Sequence, residues 1–277
     1  MTVTKLIQMK QDKKKIVALT AYDFYSARLL DRLGIDMIIV GDSVGQVVLG
    51  YESTLPVTMD EMVHHIKAVA RGNGSAVIVG DMPFMSYQAS IEDAVRNAGR
   101  FIKEAGAHAV KIEGGKERSK TIEAILTAGI PVMSHIGIVP QSIRRTGGYK
   151  VPGKEAEDAQ RLLEDAITLD RLGVFSIVLE CVPWKIAKVI SETVSVPTIG
   201  IGSGAGCDGQ VLVLHDILGM YEGKYPKHVK IYARLYEQMK SALQQYQAEV
   251  QSGTFPTVDQ SFEIDESEFQ KFLQIIK

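Results

Sequence analysis

Eight short apolar runs punctuate the chain, at 16–20, 37–40, 76–79, 109–112, 132–136, 176–179, 198–201 and 211–214. Most are continuous stretches of β-branched and aliphatic residues with no polar alternation. That is the pattern of strands covered on both faces. Between most of them the apolar residues recur at helical spacing, over 24–33, 58–71, 90–105, 117–128, 155–172 and 183–193. Thr58 with Glu61, and Ser90 with Asp93, read as capping boxes at helix starts. Gly106, Gly129 and Gly173 read as helix stops. The seventh connection, 202–210, is short and glycine-rich and carries no ordinary helical pattern.

Eight strands alternating with helices describe either a closed barrel or a doubly wound open sheet. The first strand runs into TAYDFYS, without the GxGxxG that opens a dinucleotide-binding sheet. Eight strands within about 200 residues suit a (β/α)8 TIM barrel, typically ~250 residues long. Beyond the barrel the pattern predicts an amphipathic helix over 228–250 and a tail containing Gly253 and Pro256. Asp265 and Glu268 then form a third expected capping box, before FQKFLQII. This apolar helix needs the barrel or a neighbouring subunit to bury against. No linker separates a second domain, so 1–277 reads as one barrel domain, with a C-terminal helix and tail from about 221.

Composition narrows the class. Of 277 residues 45% are hydrophobic, enough for one large core. Lys and Arg number 31 against 33 Asp and Glu, a net charge of −2 without the basic excess that nucleic-acid binding needs. The two cysteines, Cys181 and Cys207, have no zinc or CxxC spacing and suit a reducing compartment. The opening MTVTKLIQMKQDKKK has no apolar signal core. No apolar run approaches the ~20 residues of a membrane span. A cytoplasmic protein acting on small molecules is the expectation.

In such a barrel, catalytic groups stand where strands end at the C-terminal mouth. There the chain supplies Tyr22 and Asp23, Asp42 and Ser43, Asp81, Lys111 and Glu113, His135 and Glu180, on strands one to six in turn. An Asp after a strand also serves as a turn former or helix cap. Asp42, Asp81, Glu113 and Glu180 in one mouth repel one another unless a cation intervenes. Mg2+ is the natural choice, being hard and oxygen-seeking and leaving positions for substrate oxygens. Asp42 and Asp81 are then direct ligands and Glu113 the third. Lys111 shares a strand face with Glu113 and supplies either an ion pair or a cation for a substrate carboxylate or enolate. Glu180, followed by Cys181, Val182, Pro183 and Trp184, suits a general base, or else a partner of Lys111. His135 is open between a substrate contact and a structural histidine. The glycine-rich 200–206 stretch signals a tight loop and, less specifically, phosphate. RRTGGYK at 144–150 reads as a loop over the mouth.

The motifs LTAYD (19–23), VGDSVG (40–45), TLPVTMDEM (54–62), GDMPF and SY (80–84, 86–87), VKIEGG (110–115), HIG and PQS (135–137, 140–142), GGYKV (147–151), LECVP (179–183), IGIG (199–202) and DGQVLV (208–213) run in order over nearly the whole chain. Together they resemble the ketopantoate hydroxymethyltransferase family. Val139 and Ser203 depart from its commoner Thr and Ala, away from the proposed ligands and base. The resemblance implies a TIM barrel of the phosphoenolpyruvate/2-oxo-acid type. It implies 3-methyl-2-oxobutanoate and 5,10-methylenetetrahydrofolate as substrates, with ketopantoate as the product. Metal ligation is implied for Asp42, Asp81 and Glu113, with Mg2+ the ion and Mn2+ or Co2+ able to share the site. Substrate contacts fall on Asp42, Ser43, Asp81 and Lys111, with His135 nearby, and proton abstraction on Glu180. A homo-oligomer, often a decamer, is implied as well, and a lid role fits 144–150. The alternatives are another Mg-dependent 2-oxo-acid lyase or mutase, a non-catalytic oxo-acid binder, and a phosphate-binding barrel.

Overall fold

The computed structural model describes residues 1–142 and 151–277. The expected lid stretch, 144–150, lies outside the described residues. Eight parallel strands close into a barrel in chain order: β1 (Ile16–Thr20), β2 (Met37–Val40), β3 (Val77–Asp81), β4 (Ala109–Glu113), β5 (Val132–Gly137), β6 (Ser176–Glu180), β7 (Thr198–Ile201) and β8 (Gly209–Leu212). β1 pairs with β8, Ile16 opposite Gly209, so no strand edge is left open. The expected (β/α)8 barrel is therefore the fold.

The last strand begins two residues earlier than the apolar run at 211–214 suggests. Gly209 explains the shift. A Cβ there would lie 2.6 Å from the Ile16 carbonyl oxygen, so only glycine lets β8 start beside β1. Gly209 reads as loop because it carries no side chain to signal a strand.

The helices between strands form as the periodicity predicts. The helix Met59–Gly72 buries Met62, Val63, Ile66 and Val69, and its Thr58–Glu61 capping box is complete. In Ile91–Lys103, Ser90 accepts the Asp93 N–H. The reciprocal bond is missing because Asp93, a methylene shorter than Glu, turns to Arg96 at 2.6 Å.

One helix has no counterpart among the expected elements: α1, Val3–Gln11, capped by Thr2. Its Leu6 and Met9 join Ile16, Met37, Val77, Ala109, Met133 and Phe175 in one core cluster. Those partners sit where the strands begin, so α1 plugs the end of the barrel opposite the mouth. Lys10 fastens it, 3.0 Å from Asp208 and donating at 2.8 Å to both the Ser191 and Val196 carbonyls.

Two compact units emerge: Met1–Ile217 with Lys224–Lys230, and Leu218–Gly223 with Ile231–Lys277. The second holds helices Leu235–Ser252 and Glu266–Ile275, neither with a buried side chain. The first begins later than 228 because the Leu218 and Gly219 carbonyls receive the Leu235 and Tyr236 N–H groups. The last carries one cap where a box was expected: Asp265 accepts the Ser267 N–H at 2.9 Å, while Glu268 pairs with Lys271. Among the described residues no helix is long and apolar enough to cross a membrane.

Candidate active site

The barrel geometry gathers the strand ends into one cluster. In register, Asp81 on β3 stands opposite Lys111 on β4, Glu113 opposite His135 on β5, and Gly137 opposite Glu180 on β6. The strands thus carry the polar groups round one rim, with Asp42 and Ser43 in the turn after β2.

Asp42, Asp81, Lys111, Glu113 and His135 are all buried. Lys111 Nζ donates to Asp81 Oδ1 at 2.7 Å, and the Asp42 N–H donates to Asp81 Oδ2 at 3.3 Å. Burial, then the neighbouring Asp81 charge, pushes the Asp42 carboxyl up to about 7. Burial likewise holds Glu113 well above the usual carboxylate range, with Lys111 opposing. Burial alone would lower the Lys111 ammonium, but Asp81, Glu113 and Asp42 around it raise it. One ammonium therefore faces three carboxylates, and burial makes two of them, Asp42 and Glu113, reluctant to ionise.

His135 lies between two of the acids. Its Nδ1 is 3.7 Å from Glu113 Oε1 and its Nε2 3.3 Å from Glu180 Oε2. Neither nitrogen makes an aligned hydrogen bond, although both are buried. Burial, aided by the Lys111 charge, lowers its basicity and favours the neutral ring. Two buried nitrogens without an aligned partner, each facing a carboxylate, set His135 apart from an ordinary satisfied core histidine. Glu180 differs from the others: its side chain keeps 19% exposure, so it alone among these acids looks out into the mouth. The residue after it, Cys181, has φ +54, a left-handed conformation rare outside glycine.

Ser43 joins the site through Tyr22, whose phenol lies 2.8 Å from Ser43 Oγ. Burial raises that phenol and keeps it protonated. Asp23 does not join. It caps the helix Phe24–Arg32, accepting the Ser26 N–H at 2.9 Å. In the glycine-rich stretch, Ser203 Oγ donates to the Leu179 carbonyl and accepts the Val182 N–H, bracing the turn that carries Glu180.

Sequence reasoning missed Gln141 and Tyr87. Gln141 Nε2 donates to Asp42 Oδ2 at 3.0 Å, and the Gln141 backbone N–H donates to Glu113 Oε2 at 2.9 Å. The Tyr87 phenol donates to Gln141 Oε1 at 2.8 Å. Both residues lie in the SY and PQS motifs, but nothing in their spacing shows which strands they reach.

The donor set suits a hard divalent cation: buried carboxylate oxygens and no thiolate, with negative charge that Lys111 alone does not balance. Among the described residues, no three His, Cys, Asp or Glu side chains already close on one point. Asp81 is turned onto Lys111 and Asp42 onto Gln141.

The family model described as Ketopantoate hydroxymethyltransferase matches residues 1–258. The chain belongs to the ketopantoate hydroxymethyltransferase family. It is 55% identical over 261 residues to the 3-methyl-2-oxobutanoate hydroxymethyltransferase of Syntrophus aciditrophicus, covering 94% of this chain and 96% of that one. To the enzyme of the same name from Syntrophomonas wolfei it is 57% identical over 265 residues, covering 96% of each. Among solved structures, a phosphonopyruvate hydrolase in complex with oxalate and Mg++ shares the fold. Its TM-score is 0.60 at 13% identity, covering 99% of this chain and 97% of that one. The chain is thus a family enzyme of the transferase type on a TIM barrel.

Proposed function

We propose that this enzyme transfers a hydroxymethyl group from 5,10-methylenetetrahydrofolate to 3-methyl-2-oxobutanoate, yielding ketopantoate for pantothenate and coenzyme A synthesis. The observation that carries the chemistry is the pairing of buried acids around Lys111 with one partly exposed acid, Glu180. Proton abstraction beside a carbonyl needs a base that reaches substrate and a positive environment for the enolate.

In this reading Glu180 removes the C3 proton of the oxo acid. Lys111 faces the negative charge that develops on the carbonyl oxygen. Ser43, held by Tyr22, orients the substrate carboxylate. His135, neutral between Glu113 and Glu180, keeps Glu180 directed at the substrate. Water adds to the methylene carbon of the folate donor, both of its C–N bonds break to release tetrahydrofolate, and C3 attacks the formaldehyde so formed, whose oxygen takes up a proton to become the hydroxymethyl group. Asp42, Asp81 and Glu113 would hold Mg2+, or Mn2+ or Co2+ in its stead. That cation, when bound, supplies Lewis acidity toward the oxo acid's oxygens. The Mg++ and oxalate named for the phosphonopyruvate hydrolase, an oxo-acid mimic on the same fold, support this. Self-association, to a decamer as the resemblance implies, is part of the same proposal. Leu243, Tyr246 and Ile275, all exposed on the C-terminal helices, support it.

Proton NMR in D2O tests the reaction, with 3-methyl-2-oxobutanoate, Mg2+ and the folate donor present. The expected result is a new hydroxymethyl signal that requires both folate and metal. Loss of the methine proton alone would keep the enolising step and reject the one-carbon donor. Unchanged spectra with folded protein would reject the reaction.

A further inference from the structure

We propose that Gln141 is a positioning residue that sets two proposed cation ligands, Asp42 and Glu113, from a single turn of chain. The inference rests on the reading of those carboxylates as ligands.

Gln141 lies on the short 3-10 turn Pro140–Ser142 after β5, yet it is buried. Its carboxamide has a complete set of partners. The NH2 group donates to Asp42 Oδ2 and to the Met82 carbonyl, each at 3.0 Å. Oε1 accepts from the Tyr87 phenol at 2.8 Å and from Gln88 Nε2 at 3.0 Å. A carboxylate and a carbonyl can only accept, so the NH2 must face them and the amide has one orientation. From the same residue the backbone N–H reaches Glu113 Oε2. Tyr87 closes the other side: its phenol oxygen accepts the Glu113 N–H at 3.2 Å.

The turn after β5 thereby holds an acid from β4 and an acid from beyond β2. Each carboxylate has one oxygen committed to Gln141 and the other left for a different partner. Metal-binding carboxylates are oriented in this way by outer hydrogen bonds, whose loss typically weakens metal affinity about 10- to 100-fold. Lys111 meets Asp81, not Asp42, in the hydrogen-bond pattern.

The test is Mn2+ affinity of the full-length protein, read from the EPR signal of free Mn2+, for the parent, Gln141→Met and Tyr87→Phe. Methionine keeps the volume and the backbone N–H but removes both side-chain donors. The expected result is a roughly 10- to 100-fold rise in Mn2+ Kd for Gln141→Met. A smaller rise is expected for Tyr87→Phe, which keeps the fold if Gln141→Met does not. A purely structural role would lower the unfolding temperature with Mn2+ affinity unchanged in the folded fraction. That result, or tighter binding, would overturn the proposal while leaving the ligand assignment standing. A parent protein that binds no Mn2+ would overturn both.

Discussion

Replacing Gly137 by alanine should disable Glu180 without touching it. Gly137 closes β5 opposite Glu180, with φ +103. A Cβ built there would lie 2.2 Å from the Glu180 carbonyl oxygen and 3.0 Å from its backbone C and N, where ordinary contact begins at 3.4 Å. These are backbone atoms and no rotamer relieves the clash. Glu180 must retreat by roughly 1 Å, a misplacement that can cost about 100-fold in rate. The retreat also strains the hydrogen bond from the Ile138 N–H to the Glu180 carbonyl, now 2.8 Å. The left-handed backbone adds about 1–3 kcal/mol of destabilisation for a residue with a side chain. The assay is exchange of the methine proton of 3-methyl-2-oxobutanoate into D2O, which isolates the step given to Glu180. Chemical denaturation of the same sample reads the stability loss. A folded Gly137→Ala protein with parental exchange would refute both the close approach and the placing of the base.

Glu180→Gln should retain Mn2+ and oxo-acid binding yet lose methine exchange, and near-parental turnover would remove Glu180 from the base role. Asp42→Ala and Asp81→Ala should each raise the metal concentration needed for half-maximal activity, and unchanged metal dependence in both would sink the ligand assignment. The metal-free protein should lose stability as pH rises. Folded Asp42 holds its proton up to about pH 7, against an ordinary value of 3.8, so between those values the folded state binds more protons than the unfolded. A cation replaces that proton, so the gain in unfolding temperature on adding Mg2+ should grow from about pH 5 to 7 and beyond. A gain that shrinks across this range would contradict the raised carboxyl.

What the sequence reveals, and what it withholds, follows from the range of each interaction. Strand and helix patterns are local, and six of the eight strands match their apolar runs to within a residue at each end. β8 shifts because a contact with Ile16, nearly two hundred residues away, decides where it starts. Asp42, Asp81, Glu113 and Glu180 are legible because a barrel sends every strand end to one rim. The role of His135 stays open in the sequence. Only the β4–β5–β6 register puts its ring between two carboxylates. Gln141 is illegible for the same reason: its partners come from three other segments, and nothing local in Pro140-Gln141-Ser142 points to them. α1 is hidden by the lysines around its apolar residues, which become meaningful only when Leu6 and Met9 find the barrel floor.

That floor governs traffic. With Leu6 and Met9 packed against residues at the strand starts, the described residues close that end of the barrel, and the proposed site is a blind well. Oxo acid, folate donor and both products must pass the same opening. On the proposed reaction, the smaller oxo acid is expected to bind before the bulky donor, and spent folate to leave before ketopantoate. Steady-state kinetics would read that order as inhibition by excess donor that competes with the oxo acid, and donor inhibition indifferent to oxo-acid concentration would contradict it.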